Sequence, residues 1–451
     1  MNSTLLHKKK VSVIGAARSG IAVAQLLRSQ GADVFVSDSS SAEKLQSSIS
    51  NLLIEKIEFE VGKHSDLVYH CDLMVISPGV PNNAPVVLEA QKRNIKIVSE
   101  LEVGSWFCRS PIVAITGSNG KTTTATLIGR ILDHAKKKHV VAGNIGTAFS
   151  SIVLDLAETD VAVLEVSSFQ LDHIEAFRPK ISILLNITSD HMDRYDHSME
   201  KYADSKARIF KNQQPDDVLI YNGDDEWTNR VVSQAQSRKV AFSIQQKLNE
   251  GAFVENEKLI TSLGGVKTEV IDINQIFTKG IHNLYNSMAA ALAGQMLGVK
   301  ADSIQSTMKI FEGVEHRLEF VRELNNVRYY NDSKATNVDS VWYALQAFKE
   351  PIVLLLGGRD KGNDYSRLSK LVEKHVKAIV AIGESADKVE QAFRGTSPIT
   401  KTTSMDDAVA TARSLAQAGD VVLLSPACAS FDWFKNYEQR GQVFKELVKN
   451  L

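Results

Sequence analysis

Cysteine is scarce in this chain: its 451 residues include three, Cys71, Cys108 and Cys428. They stand far apart without metal-ligand spacing, so they read as reduced thiols of a cytoplasmic protein. An excess of one charge is missing too. The net charge of −1 leaves no electrostatic case for nucleic acid or an acidic membrane. No apolar run approaches the ~18 residues needed to span a bilayer. Leu5-Leu6-His7-Lys8-Lys9-Lys10 is too short, and its charges fall in the wrong order, for a signal peptide. Internal repeats and low-complexity tracts do not stand out. What is present is ordinary for a globular protein, with 43% hydrophobic and 23% charged residues. The length exceeds one core and suggests about three domains.

Strand-like apolar runs alternate with helix-length segments almost throughout, the pattern of parallel sheets covered by helices. A first block carries runs near 11–15, 34–37, 73–77 and 95–99. A second has them at 112–116, 161–165, 181–186 and 218–222. Between about 239 and 279 the period turns two-fold and hairpin-like, and an Ala-rich helix over 283–297 follows. A third block has strands at 327–331, 352–357, 378–383 and 421–425. Boundaries near 104 and 313 divide the chain into 1–103, 104–313 and 314–451.

The most specific segment is Thr116-Gly117-Ser118-Asn119-Gly120-Lys121-Thr122-Thr123, where a β-branched run feeds a Gly-rich turn that opens a helix. Backbone N–H groups and a helix N-terminus there form an anion cradle. Lys121 reaches outer phosphates, and Thr122 offers a hydroxyl to a phosphate-bound Mg²⁺. The usual first glycine of such a loop would fall at Ile115, so this is a shortened form, Gly-x-x-Gly-Lys-Thr. The bland alternative is a strand-to-helix turn without a ligand.

Thr116, Glu165, Asn186 and Asn222 each fall at the carboxyl end of a predicted parallel strand, the edge where α/β sheets bind ligands. Glu165 beside the phosphate loop is a candidate Mg²⁺ ligand, the alternative being an ordinary strand-end acid facing water. Asp190-His191 puts a carboxylate and an imidazole where a second metal could sit; alone the pair reads better as a turn or a satisfied histidine, and the shared sheet edge is what raises it. Ser198 reads as an N-cap of a helix on which Met199, Tyr202, Ala203, Lys206, Ile209 and Phe210 share one face. Lys206 thus points into an apolar stripe. Helix geometry alone favours a snorkelling ammonium; the other arrangement is a buried amine that loses its proton.

Gly15-Ala16-Ala17-Arg18-Ser19-Gly20 resembles a dinucleotide fingerprint with Ala17 in place of the central glycine, and Asp38 ends the next strand. Taken alone this suggests an NAD-dependent oxidoreductase. No hydride-transfer site is apparent, however, and the phosphate loop would go unused.

The phosphate loop is followed in order by Gly143-Asn144-Ile145-Gly146, Glu165-Val166-Ser167-Ser168-Phe169-Gln170-Leu171 and Asp190-His191-Met192-Asp193-Arg194-Tyr195. Next come His282-Asn283-Leu284-Tyr285-Asn286, Glu315-His316-Arg317, Asn331-Asp332-Ser333-Lys334-Ala335-Thr336-Asn337 and Ser425-Pro426-Ala427-Cys428-Ala429-Ser430. In this series the chain resembles the Mur ligases, ATP-dependent amide-bond formers of peptidoglycan synthesis, over essentially its whole length. Within the family, Ser168-Phe169-Gln170-Leu171, the Asp190–Tyr195 motif and the stretch from Phe431 to Gly441 are similar to the branch that adds D-glutamate.

The resemblance implies an α/β fold of three domains: a Rossmann-like N-terminal domain, a central P-loop-type ATPase domain with a mainly parallel sheet, and a Rossmann-like C-terminal domain. It implies ATP phosphates on Gly117, Asn119, Gly120, Lys121, Thr122 and Thr123, adenine on Asn283, and nucleotide contacts from Arg317 and Asp332. Thr122 and Glu165 would hold one Mg²⁺ and His191 a second, with Lys206 carbamylated by CO₂ as a further ligand. Lys121, Asn144, His191 and Lys206 would form the catalytic set, with Asn144 and His191 meeting the acyl substrate. Ser19, Asp38, Ser77 and Gly79 would bind UDP-N-acetylmuramoyl-L-alanine, and Lys334, Thr336, Lys361, Ser430 and Phe431 the incoming D-glutamate. A cytoplasmic monomer with no nucleic-acid or membrane partner is expected. The rivals are a folylpolyglutamate synthetase, which would lack the first block, and a non-catalytic nucleotide-binding regulator.

Overall fold

The apolar runs become strands of three separate sheets in a computed structural model that describes residues 6–144, 146–278, 280–360 and 362–451. Lys361, expected to meet D-glutamate, and Ile145 lie outside the described residues. Five parallel strands make the first sheet: β1 (Lys10–Ile14), β2 (Asp33–Asp38), β3 (Glu58–Val61), β4 (Leu73–Ile76) and β5 (Ile97–Ser99), in the order β3-β2-β1-β4-β5. Strand order reverses at β1, and ligands bind α/β sheets at such a switch point.

The second sheet has nine strands. These are β6 (Ile112–Thr116), β7 (His139–Gly143), β8 (Val161–Glu165), β9 (Ile181–Leu184), β10 (Val218–Asn222), β11 (Arg238–Ser243), β12 (Gly251–Glu255), β13 (Lys258–Leu263) and β14 (Val266–Asp272). Their order is β14-β13-β12-β11-β10-β9-β6-β8-β7. All pairings from β7 to β12 are parallel, and only β12, β13 and β14 are antiparallel. The Ala-rich helix runs Ile281–Met296.

The third sheet comprises β15 (Glu319–Leu324), β16 (Val327–Asn331), β17 (Ile352–Gly357), β18 (Val376–Ile382), β19 (Ile399–Lys401) and β20 (Val421–Leu424). Its order is β15-β16-β20-β17-β18-β19, parallel except for the edge pair β15–β16.

Four strands escape the apolar pattern: β3, β7, β15 and β19. Each stands at a sheet edge. An edge strand buries less of itself, so its side chains need not be apolar; in β3 no residue is fully buried, whereas all of β6, β8 and β17 are.

Two compact units result. One holds the residues up to Ile273 together with Tyr285–Thr307, and so contains the first and second sheets. The other holds Asn274–Leu284 and Met308–Leu451, with the third sheet. Within the larger unit the first two blocks interlock through buried carboxylates. Glu102 accepts the amides of Glu175, Ala176 and Phe177, each at 2.9 Å, and Glu100 accepts that of Ser150 at 2.7 Å. Among the described residues no helix is long and apolar enough to cross a membrane.

Candidate active site

The loop after β6 is built around two unusual glycines. Gly117 has φ +155°, and a Cβ there would stand 3.0 Å from Leu185. Gly120, the N-cap of helix Lys121–His134, has φ +88°, and a Cβ would come 2.3 Å from Asn286 Oδ1. Backbone of this kind, and neighbours this close, leave room for glycine and not for a larger residue. The loop is braced from β9: Asn186 Oδ1 accepts the Asn119 amide at 2.8 Å and Nδ2 donates to the Asn119 carbonyl at 3.0 Å. Ser118 Oγ donates to the Thr188 carbonyl at 2.8 Å and accepts its amide at 2.9 Å. Lys121 Nζ donates to the carbonyls of Gly117 at 2.8 Å and Ser118 at 2.9 Å. Thr123 is buried in the first helical turn.

Thr122 Oγ1 donates to Glu165 Oε2 at 2.7 Å, and Asn144 Nδ2 donates to Glu165 Oε1 at 3.2 Å. A hydroxyl and a carboxylate side by side at a phosphate loop are hard oxygen donors of the kind Mg²⁺ takes. The residues present fit that ion.

Helix Met199–Ala207 starts at Ser198, whose hydroxyl accepts the Lys201 amide, and carries Lys206 onto the same loop. Lys206 is 1% exposed, which overturns snorkelling. With the Tyr202 ring against it, the side chain is shut away from water rather than reaching out to it. Nζ donates to the Gly117 carbonyl at 2.9 Å and lies 4.5 Å over the Tyr202 ring. Burial and then the neighbouring Lys121 drive its pKa well below the ordinary lysine value, against a partial pull from Asp190 and Asp172. His191 Nε2 lies 3.7 Å from Asp190 Oδ2, and its ring meets Phe169 edge-on at 5.0 Å.

In the first sheet a cleft of about 780 Å³ opens at the switch point, lined by Ser19, Asp38, His64, Ser77, Gly79 and Asn144 among others. Asp38 Oδ2 accepts the Ala16 amide and Oδ1 that of Ser40, both at 2.7 Å. Burial pushes this carboxyl up, but the two amides, the Ser40 hydroxyl and His64 together hold its pKa below the ordinary value. Asn144 thus faces two ways: it lines this cleft, its amide touches Glu165, and its carbonyl accepts Arg18 Nη2 at 3.0 Å.

In the smaller unit Asn283 and Arg317 line one cleft of about 940 Å³. Asp332 is buried, accepts Ser425 Oγ at 2.8 Å and the Leu318 amide at 3.2 Å, and has a pKa raised to about 6. Burial raises it, and Arg317, Ser425 and Leu318 oppose. Lys334 and Thr336 follow β16, and Ser430 and Phe431 follow the neighbouring β20. Arg440 ties these loops, its buried guanidinium donating to Ser333 Oγ and to the carbonyls of Ser333, Cys428 and Ala429. Ser430 is buried, Phe431 is exposed, and Lys334 Nζ lies 5.4 Å over the Tyr437 ring.

Sequence reasoning assigned no role to Arg18, Arg194 or Arg440, because nothing local tells which distant carbonyls a guanidinium will reach. The hydroxyls of Thr116 and Thr188 and the amide nitrogen of Gln170 are buried without a hydrogen-bond partner among the described residues. Such orphans suit a ligand or ordered water. Gln170 stood in a quoted motif, and only its burial distinguishes it.

Three family profiles match in order: the Mur ligase MurD-like N-terminal domain over residues 9–99, the Mur ligase middle domain over 115–294, and the Mur ligase glutamate ligase domain over 316–428. The UDP-N-acetylmuramoylalanine–D-glutamate ligase of Chloroherpeton thalassium is 47% identical over 460 residues, covering 98% of each chain. That of Salinibacter ruber is 44% identical over 456 residues, covering 99% of each. Among solved structures, a MurF ligase from Thermotoga maritima in complex with ADP shares the fold at TM-score 0.62, with 15% identity, covering 100% of this chain and 97% of that one. Identity of the size seen in the two curated relatives, across nearly the whole sequence, makes the chain a member of the Mur ligase family, in its D-glutamate-ligase branch.

Proposed function

We propose that this chain is an ATP-dependent ligase that joins D-glutamate to UDP-N-acetylmuramoyl-L-alanine in cytoplasmic peptidoglycan precursor synthesis. The observation that carries the reading is the double placement of Asn144, which lines the N-terminal cleft and touches Glu165 beside the phosphate loop. An acceptor whose nucleotide lies in that cleft can present its acyl end to the γ-phosphate.

Ser19, Asp38, Ser77 and Gly79 bind the uridine nucleotide. Gly117, Asn119, Gly120, Lys121, Thr122 and Thr123 bind the ATP phosphates, and Asn283, Arg317 and Asp332 the rest of the nucleotide. Lys334, Thr336, Lys361, Ser430 and Phe431 receive D-glutamate, where a cation suits its carboxylates. The domains are taken as 1–103, 104–313 and 314–451, and the protein acts as a monomer. Lys206, as a neutral amine, adds to CO₂; the N–C bond forms, a proton leaves, and the product is an anion. Thr122 and Glu165 would hold one Mg²⁺, and His191 and carbamylated Lys206 a second; bound there, the ions would supply positive charge to offset that of the phosphoryl group.

The L-alanyl carboxylate attacks the γ-phosphorus; an O–P bond forms, and ADP leaves with the electron pair of the bond that breaks. Carboxylates acylate poorly, and the phosphate is the missing leaving group. The D-glutamate amine then attacks the acyl carbon, the C–O bond to phosphate breaks, and the amine gives up a proton. Lys121, already held at the loop by two carbonyls, needs little reorganisation to meet the charge that develops.

Phosphate release by the purified protein tests the reading. It should require UDP-N-acetylmuramoyl-L-alanine and D-glutamate together and be much slower with L-glutamate. Equal release with L-glutamate or with a folate acceptor overturns it.

A further inference from the structure

Arg194, unassigned so far, spans the larger unit between the N-terminal cleft and His191. It stands in the short turn Met192–Tyr195, flanked by His191 and Asp196, both in left-handed backbone at φ 52°. That conformation is uncommon outside glycine, and histidine and aspartate are among the side chains that adopt it most readily; contacts that hold the turn add to that preference.

Arg194 makes such contacts. Its backbone N–H donates to the His191 carbonyl at 3.0 Å, so the two residues move as one turn. Its Nη1 and Nη2 donate to the carbonyls of Pro78 at 3.2 Å and Gly79 at 3.0 Å, on the loop that lines the N-terminal cleft. Its guanidinium lies 4.2 Å over the Phe169 ring, which also meets the His191 ring edge-on and stacks on Tyr195 of the same turn. A planar fork holds two carbonyls and stacks on a ring at once; a lysine does not.

We infer that Arg194 is a positioning residue that ties the His191 turn to the Pro78–Gly79 loop, so that a uridine nucleotide in the N-terminal cleft settles His191 before acyl transfer. The inference rests on the function proposed above.

The parent, Arg194→Lys and Arg194→Ala are compared, each first checked for parental circular dichroism; if the alanine variant does not fold, the lysine variant carries the test. UDP alone is the probe, because it has no acyl arm with which to touch His191. In hydrogen exchange, UDP should slow the amides of residues 75–80 in all three proteins. It should slow those of residues 191–195 in the parent and lose that effect in the variants. In turnover, Arg194→Ala should lower kcat ~10- to 100-fold, the usual cost of removing a group that orients a ligand-bearing side chain. KM for the UDP substrate should change little, and Arg194→Lys should recover part of kcat. Absence of UDP protection at 191–195 in the parent overturns the inference. So does undiminished protection in Arg194→Ala, a defect confined to KM, or a fully active Arg194→Lys. A parent that turns over none of the substrates counts instead against the proposed function, and the exchange data then decide the inference alone.

Discussion

An ammonium on Lys206 would sit 1% exposed, with Lys121 close by and no carboxylate in ion-pair range among the described residues. Its hydrogen bond to the Gly117 carbonyl serves a neutral amine equally well. Burial and Lys121 therefore favour the neutral form, which is the nucleophile that CO₂ requires. Lys206→Ala should lower kcat by at least ~100-fold, the scale of losing one preorganised charged group at a transferring phosphoryl. Formate or acetate should restore part of it by re-entering as the missing anion, and Lys206→Arg should stay inactive because it keeps a cation there. Isotope-labelled bicarbonate should add a carbonyl NMR signal to the parent that Lys206→Arg lacks. An active Lys206→Arg enzyme would show that the position needs only positive charge. The apolar helix face that makes Lys206 odd was legible from 100° steps along the sequence. Its true depth was not, since the Gly117 carbonyl that receives it lies 89 residues away in the chain.

At the scale of an element, the strand–turn–helix of 112–134 works because Gly120 combines a left-handed backbone with contact against Asn286. Gly120→Ala should cost more than ~1 kcal/mol from its φ alone, with the collision added. Denaturant unfolding should show the loss, and ATP binding should disappear. Adding Asn286→Ala relieves the collision but not the backbone, so recovery should be partial. Parental stability and nucleotide binding in Gly120→Ala would remove this loop from the site. Elements in sheet interiors announced themselves by continuous apolar runs, as at β6, β8 and β17. The edge strands β3, β7, β15 and β19 did not, because an exposed face carries no such demand.

Across the molecule, the first two sheets belong to one unit although the sequence divides them near residue 104. Glu100 and Glu102 reach across that division to the backbones of Ser150 and Glu175–Phe177, and Arg18 reaches Asn144. A ligand of the N-terminal cleft should therefore stabilise both sheets. UDP at about a hundred times its Kd should raise the opening free energy by ~2.7 kcal/mol. The slowest-exchanging amides of β6 should gain that protection along with those of β1. Protection confined to residues before 100 would mean that the two blocks unfold separately.

The linear order of residues by itself determined the α/β class, the phosphate loop, the strand-end carboxylate Glu165 and the family. The loop and Glu165 depend on neighbours within one strand, turn or helix, where spacing translates directly into geometry, and the class and family on the order in which such local patterns follow one another. Tertiary structure alone decided which groups meet: Thr122 with Glu165, Asn144 with both cleft and loop, Lys206 with Gly117, and Arg194 with Gly79. Those contacts join residues from 21 to 126 positions apart. They are set by how strands order in a sheet and how deeply a helix packs, quantities that no local spacing encodes.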